Sequence, residues 1–206
     1  MIKEFEKRLI TSLILLPISI FFIIKGSIFF IFFLSILFLV TSYEWVLMSK
    51  KNNIFRFLGI IFLFFSFYSA FEFGENYKDF LFIITICIFT DIGGYVFGKI
   101  FKGPKLTSIS PNKTISGAFG SIIFSIIIIN VLIFYYVELI NIKTTFIGAI
   151  SSIGCQSGDL LFSYLKRKAK LKDTGNFLPG HGGVLDRLDG IFLGLPIGFL
   201  SFVFIY

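Results

Sequence analysis

The chain has 206 residues, of which 56% are apolar and 15% charged, with 31 phenylalanines and a mean hydropathy of +0.91. Soluble domains carry about 45–50% apolar and about 25% charged residues, so a water-solvated globule is excluded and lipid is the expected solvent for most of the chain. The formal charge of +7 matters through its distribution along the chain, and it calls for no nucleic-acid partner.

Apolar residues come in long runs such as Ile28 to Val40, not in the ten-residue alternation of a membrane β-barrel. The fold class expected is therefore all-α, a polytopic membrane helix bundle. Seven segments, near 9–25, 28–48, 54–73, 79–98, 116–139, 143–165 and 187–206, are apolar enough over the required length to predict membrane-spanning helices. The first follows Lys3, Lys7 and Arg8, has no small-residue cleavage site and is followed by further spans, so it reads as a retained helix.

With the N-terminus placed in the cytoplasm, the inner side collects Lys3, Lys7, Arg8, Lys50, Lys51, Arg56, Lys99, Lys102, Lys105, Lys113, Lys166, Arg167, Lys168, Lys170, Lys172 and Arg187, leaving out only Lys25, Lys78 and Lys143. Positive charge marks the cytoplasmic side of short loops, which fixes the expected orientation in a bacterial-type inner membrane. The outer connections, at 26–27, about 74–78 and about 140–142, are short. Both long polar loops, 99–115 and 166–186, fall inside. Residues 1–78 are expected to be scaffold helices and 79–206 the catalytic region.

Cys87 and Cys155 lie in apolar runs without CxxC spacing, and His181 is the one histidine, so neither a disulfide framework nor a zinc site is suggested. Carboxylates inside a bilayer are costly and ask for a partner or a use. Those to explain are Glu44, Asp91, Asp159, Asp186 and Asp189. Asp159 precedes Ser163 by one helical turn, and Asp186 and Asp189 would share a face if both are helical. Three acids converging at one end of a bundle would make the oxygen-rich site that Mg²⁺ prefers; the same acids could instead pair with Arg167 or Arg187 and pin helices.

Five of the eleven residues from Ser163 to Asp173 are basic, a density that also suits contact with anionic lipid. The Pro179-Gly-His-Gly-Gly183 turn that follows permits close backbone approach to a ligand and an anion-binding concavity, although a plain turn would use the same glycines. Before the other loop, Asp91, Gly94, Tyr95 and Gly98 share a helix face, where the glycines suit helix packing as well as a ligand. Ser110-Pro-Asn-Lys113-Thr114 offers hydroxyls and an ammonium to phosphate. No P-loop or GxGxxG occurs.

These stretches resemble the phosphatidate cytidylyltransferases, or CDP-diacylglycerol synthases. The likeness runs position by position through S-x-x-K-R-x4-K-D-x-[small]-x2-[apolar]-P-x-H-G-G-[apolar]-x-D-R-[apolar]-D from Ser163 to Asp189, and extends to Gly158-Asp159-Leu160, Asp91 to Lys99, Lys105-Leu106 and Ile109 to Thr114, with a weaker likeness at Glu44-Trp45. Ile92 and Ser116 depart from the pattern, Ser116 standing where many members have Glu.

The resemblance implies the reaction of CTP with phosphatidate to give CDP-diacylglycerol and pyrophosphate. It implies Mg²⁺ on Asp159 and Asp186, with Asp189 as a further or supporting ligand and a monovalent cation left open. Lys113, Arg167, Lys166 and Lys172 are then expected on phosphates, and Ser110, Thr114, Asp91, Tyr95, Gly182 and Gly183 along the substrate pocket. His181 could donate to a phosphate or be a structural turn residue. A homodimer is compatible with the resemblance. The competing classes are a transporter of an anionic solute, which would spread polar residues across the spans, and another lipid- or prenol-phosphate transferase.

Overall fold

A computed structural model describes residues 2–50, 52–74, 76–137 and 142–205. The helices are α1 (Ile2–Lys25), α2 (Ser27–Met48), α3 (Asn53–Gly74), α4 (Tyr77–Phe101), α5 (Ile115–Val137), α6 (Ile142–Lys168), α7 (Leu185–Leu188) and α8 (Ile191–Ile205). Among the described residues there is no strand, only two isolated bridges, Lys105 to Thr114 and Leu178 to Gly182. Lys51, the expected end of the fifth span at 139, the start of the connection at 140–142 and Tyr206 lie outside the described residues.

By length and composition α1 to α5 can each cross a membrane. They expose long apolar side chains such as Leu13, Ile28, Phe64 and Phe119, as helices solvated by lipid do. The architecture is that of an all-α polytopic membrane protein. Although α6 has the length, its apolar run is interrupted by Ser151, Ser152, Gln156, Ser157 and Asp159, and α8 is a shorter apolar helix of 15 residues.

Two compact units divide the chain: Met1–Tyr77 with Leu165–Leu188, and Lys78–Tyr164 with Asp189–Tyr206. In the first unit α2 packs on α3 through two close approaches. A Cβ on Gly59 would lie 1.8 Å from the Trp45 indole, and one on Gly74 would lie 1.9 Å from the Phe30 ring, so only hydrogen fits under either ring. Trp45 Nε1 also donates to Arg56 O at 3.1 Å. In the second unit Ile83, Ile86, Cys87, Ile147, Cys155, Phe162, Phe192 and Leu195 form a buried core, and Thr90 Oγ1 donates to Ser152 Oγ at 2.9 Å. Both cysteines are free and buried.

Three expectations change. The loops are shorter than 99–115 and 166–186, because α4 runs to Phe101 and α6 to Lys168; the cations Lys99, Lys166, Arg167 and Lys168 in their last turns complement the negative ends of the helix dipoles. The span expected from 187 begins at Ile191. Asp186 and Asp189 do not share a helix face, since α7 ends at Leu188 and Asp189 Oδ1 accepts the next amide, Gly190 N, at 2.9 Å, a local bond that competes with the helical ladder.

Candidate active site

In the second unit the loop between α4 and α5 folds back on itself. Leu106 N donates to Lys113 O at 2.8 Å, Lys113 N to Ser110 O at 3.0 Å and Ile115 N to Pro104 O at 3.0 Å. Thr114 then caps α5, its Oγ1 accepting Gly117 N at 3.1 Å, an arrangement typical of a helix N-cap. Ser116, the position that departs from the family pattern, donates through Oγ to Lys102 O and ties the loop to the end of α4.

This loop closes one side of a cavity of about 320 Å³. Asp91, Gly94 and Tyr95 of α4 line it, with Gly117 and Ser121 of α5, Gln156 and Asp159 of α6, and Ser110, Asn112, Lys113 and Thr114 of the loop. The approach of α4 to α5 that shapes it requires glycine: a Cβ on Gly117 would come within 2.7 Å of Gly94 O. Lys113 Nζ pairs with Asp159 Oδ2, and Ser163 Oγ donates to Asp159 Oδ1 at 3.3 Å. Lys99 lies with its ammonium 5.6 Å above the Tyr95 ring.

The first unit holds the other half of the motif. Asp186 Oδ2 accepts Thr174 N at 2.8 Å and Gly183 N at 3.0 Å, while Oδ1 takes Lys166 Nζ at 3.0 Å. Burial works against this carboxylate's charge, but the Thr174 amide, the Lys166 ammonium and the Gly183 amide outweigh it and hold its pKa below the ordinary carboxylate value. Gly182 takes φ +85°, a backbone conformation natural to glycine, which turns the chain back toward Asp186. Arg167 and Lys172 are exposed, Arg167 Nη1 lying 3.5 Å from Leu171 O. Burial, then the charges of Arg187 and Arg8, lower the His181 pKa below its ordinary value, against a smaller opposite pull from the Pro179 carbonyl.

The residues expected from sequence therefore gather as two sets. Asp91, Tyr95, Ser110, Lys113, Thr114 and Asp159 share one cavity, and Lys166, Asp186, Gly182 and Gly183 form one hydrogen-bonded cluster. Asp189 belongs to the second unit and Asp186 to the first.

Sequence reasoning missed the role of Glu44. This fully buried carboxylate accepts Val184 N on Oε1 at 3.0 Å, and Leu185 N at 2.7 Å and Thr174 Oγ1 at 3.2 Å on Oε2. It thus caps α7 from α2 and shares Thr174 with Asp186. Its signals in the sequence are an acid inside an apolar span and the weaker family likeness at Glu44-Trp45.

Among the described residues no group of three or more His, Cys, Asp or Glu stands ready around one point. The donor chemistry nevertheless suits Mg²⁺. The cavity around Asp159 offers carboxylate, hydroxyl and amide oxygens and neither thiolate nor imidazole, and Mg²⁺ is commonly held by one or two carboxylates with water and substrate phosphate. Asp186 has three of its roughly four acceptor positions in use.

The sequence model described as the cytidylyltransferase family matches residues 54–205. A phosphatidate cytidylyltransferase of Staphylococcus haemolyticus (strain JCSC1435) is 40% identical over 143 residues, 68% of this chain and 54% of that protein. One from Staphylococcus aureus (strain COL) is 40% identical over 144 residues, with the same coverage of each chain. One from Staphylococcus epidermidis is 40% identical over 126 residues, 60% of this chain and 48% of its own. The chain spans about half the length of the curated relatives it matches.

Proposed function

The chain belongs to the cytidylyltransferase family, and we propose that it transfers the cytidylyl group of CTP to phosphatidate, releasing pyrophosphate and forming CDP-diacylglycerol. The observation that carries this reading is that the family match, 54–205, takes in both the Asp91–Asp159 cavity and the Lys166–Asp186 cluster. The substrates come from the printed names of the relatives.

The reaction makes modest demands on a protein base. The phosphate monoester of the lipid, with a second pKa near 6, is largely dianionic at neutral pH. One of its oxygens attacks the α-phosphorus of CTP, the bond from that phosphorus to the bridging oxygen of the β-phosphate breaks, and pyrophosphate leaves with the electron pair. What the enzyme must supply is alignment and neutralisation of two anionic reactants. Lys113, on the cavity wall, is assigned to a phosphate once its partner Asp159 is engaged elsewhere. Arg167 and Lys172, exposed and without a carboxylate partner among the described residues, are assigned to the triphosphate, and Lys166 to both Asp186 and phosphate.

Asp159 and Asp186 are each proposed as a carboxylate for Mg²⁺. An ion bound at either would neutralise charge on the triphosphate and on the departing pyrophosphate. Ser110 and Thr114 hold the loop that presents Lys113, and Asp91 and Tyr95 bound the cavity from α4. The charge distribution supports a cytoplasmic site, where CTP is available and a lipid headgroup can reach the interface.

The test is conversion of phosphatidate and labelled CTP into CDP-diacylglycerol by the purified full chain in detergent, with and without Mg²⁺. Metal-dependent product and stoichiometric pyrophosphate are expected. A folded protein that makes no such product across several phosphatidates rules the reading out.

A further inference from the structure

The opening turns of α1 send three polar side chains to one place. Arg8 Nε donates to Gly180 O at 2.7 Å, Thr11 Oγ1 lies 3.0 Å from Pro179 O, and Ser12 Oγ lies 3.4 Å from His181 Nε2. At the next carbonyl of the same turn Arg187 donates to His181 O through Nε at 3.0 Å and Nη2 at 2.6 Å. Two guanidiniums are thus fixed on adjacent carbonyls of one glycine-rich turn.

A guanidinium carries five N–H donors, and these bonds use few of them. Among the described residues neither arginine has a carboxylate partner: the ion pairs are Lys113 with Asp159 and Lys166 with Asp186. Both arginines are exposed. Burial, then the charges of Arg187 and Arg8, lower the His181 pKa, in keeping with both guanidiniums lying at this turn. Immediately beyond Arg8 the same helix exposes Leu9, Ile10, Leu13 and Ile14. A paired cationic head above an exposed apolar helix face is complementary to an anionic amphiphile, and the planar fork of arginine matches phosphate oxygens two at a time.

We propose that Arg8 and Arg187, held on the adjacent carbonyls of Gly180 and His181, form a subsite for the phosphomonoester of a lipid, whose acyl chains lie along the apolar face of α1. The choice of phosphomonoester rests on the reading of phosphatidate as substrate. Arg8 lies outside the family match, which begins at residue 54, so the subsite joins a part of the chain that the match does not cover to the motif that it does.

The test measures KM for phosphatidate and for CTP separately in mixed micelles, using the full chain and its Arg8→Gln, Arg8→Lys and Thr11→Val variants. Arg8→Gln is expected to raise KM for phosphatidate about tenfold, the size of one lost charge-assisted hydrogen bond, with KM for CTP unchanged. Arg8→Lys, which keeps the charge but not the fork, gives an intermediate value even if Arg8→Gln folds poorly. Thr11→Val, which removes a bond to the turn but no charge, has the smallest effect. No change in KM for phosphatidate, or a rise in KM for CTP instead, overturns the subsite.

Retention of phosphatidate against phosphatidylglycerol and diacylglycerol, read by native mass spectrometry without nucleotide, separates this proposal from the reaction itself. Arg8-dependent preference for phosphatidate in a protein without turnover would sustain the subsite and sink the proposed reaction. Binding that ignores Arg8, or that is equal for phosphatidylglycerol, overturns the subsite whatever the turnover.

Discussion

Glu44 Oε2 accepts the amide of Leu185 at 2.7 Å across 141 positions of sequence, so that the four-residue helix carrying Asp186 begins on a carboxylate from the second helix. The two carboxylates divide Thr174 between them, its amide going to Asp186 and its hydroxyl to Glu44. Three hydrogen bonds to one fully buried acid hold the loop's return path.

Glu44→Gln should therefore damage stability and activity together. The amide keeps one oxygen but turns an NH₂ toward backbone N–H donors, and a buried donor left without a partner costs about 1–3 kcal/mol. In a chain of this size that lowers the thermal midpoint in detergent by roughly 2–4 °C per kcal/mol, and CDP-diacylglycerol formation should fall at least tenfold. A variant with unchanged melting and turnover would show that the loop does not depend on Glu44.

Asp186 predicts the acid side of the stability profile. Its folded-state pKa is held below the unfolded value, about 3.9, so the stability it contributes is fully present above that value and is lost as pH falls through the folded pKa. Asp186→Asn should flatten the loss of stability below about pH 4, measured by unfolding in detergent across pH 2 to 6. It should also abolish Mg²⁺-dependent turnover at neutral pH. An acid limb identical to that of the unchanged protein would refute the assignment of this loss to Asp186.

How far the sequence could be read follows from the range of the interactions. The helices between 9 and 165 are legible because lipid exposure needs only local apolar content, and α1 to α5 carry it. The cavity residues were legible as types because an acid, a phenol and glycines recur on one face of α4. The clasp of Glu44 on Val184 and Leu185, and of Arg8 on Gly180, was not legible, since each joins segments more than 130 positions apart. The face that Asp186 and Asp189 would share if both were helical does not form, because α7 ends at Leu188 and the Asp189 side chain takes the next amide. Gln156 and Asn112 entered the cavity wall with no signal beyond being polar beside Asp159 and Lys113.

The Lys113–Asp159 pair should behave differently from Glu44. Its side chains are 29% and 27% exposed, and a pair so placed contributes about 1 kcal/mol or less to stability. Lys113→Met and Asp159→Asn are each expected to leave the thermal midpoint within about 4 °C while lowering turnover by about 100-fold or more, the size of a lost transition-state contact. The double variant should be little worse than either single one, because groups that act as a unit are not additive. Full additivity of the two losses would mean that the residues serve separate steps.

Gly183 tests whether close approach, as distinct from glycine's flexibility, is what the second loop requires. A Cβ there would lie 2.3 Å from Thr174 Oγ1 and 2.7 Å and 2.8 Å from the two Glu44 oxygens, so it would displace both groups that hold the loop. At Gly26 the backbone takes φ +61° but a Cβ would meet nothing within 4 Å, leaving only backbone strain of about 1–2 kcal/mol. Gly183→Ala should therefore abolish turnover and lower the melting midpoint well below that of Gly26→Ala. Adding Thr174→Ala to Gly183→Ala relieves the nearer clash but leaves Glu44 in the way, so recovery should be partial. If Gly183→Ala instead retained the turnover of Gly26→Ala, the buried Glu44 carboxylate would have to be free to withdraw, and the loop's geometry could not depend on the three hydrogen bonds it accepts.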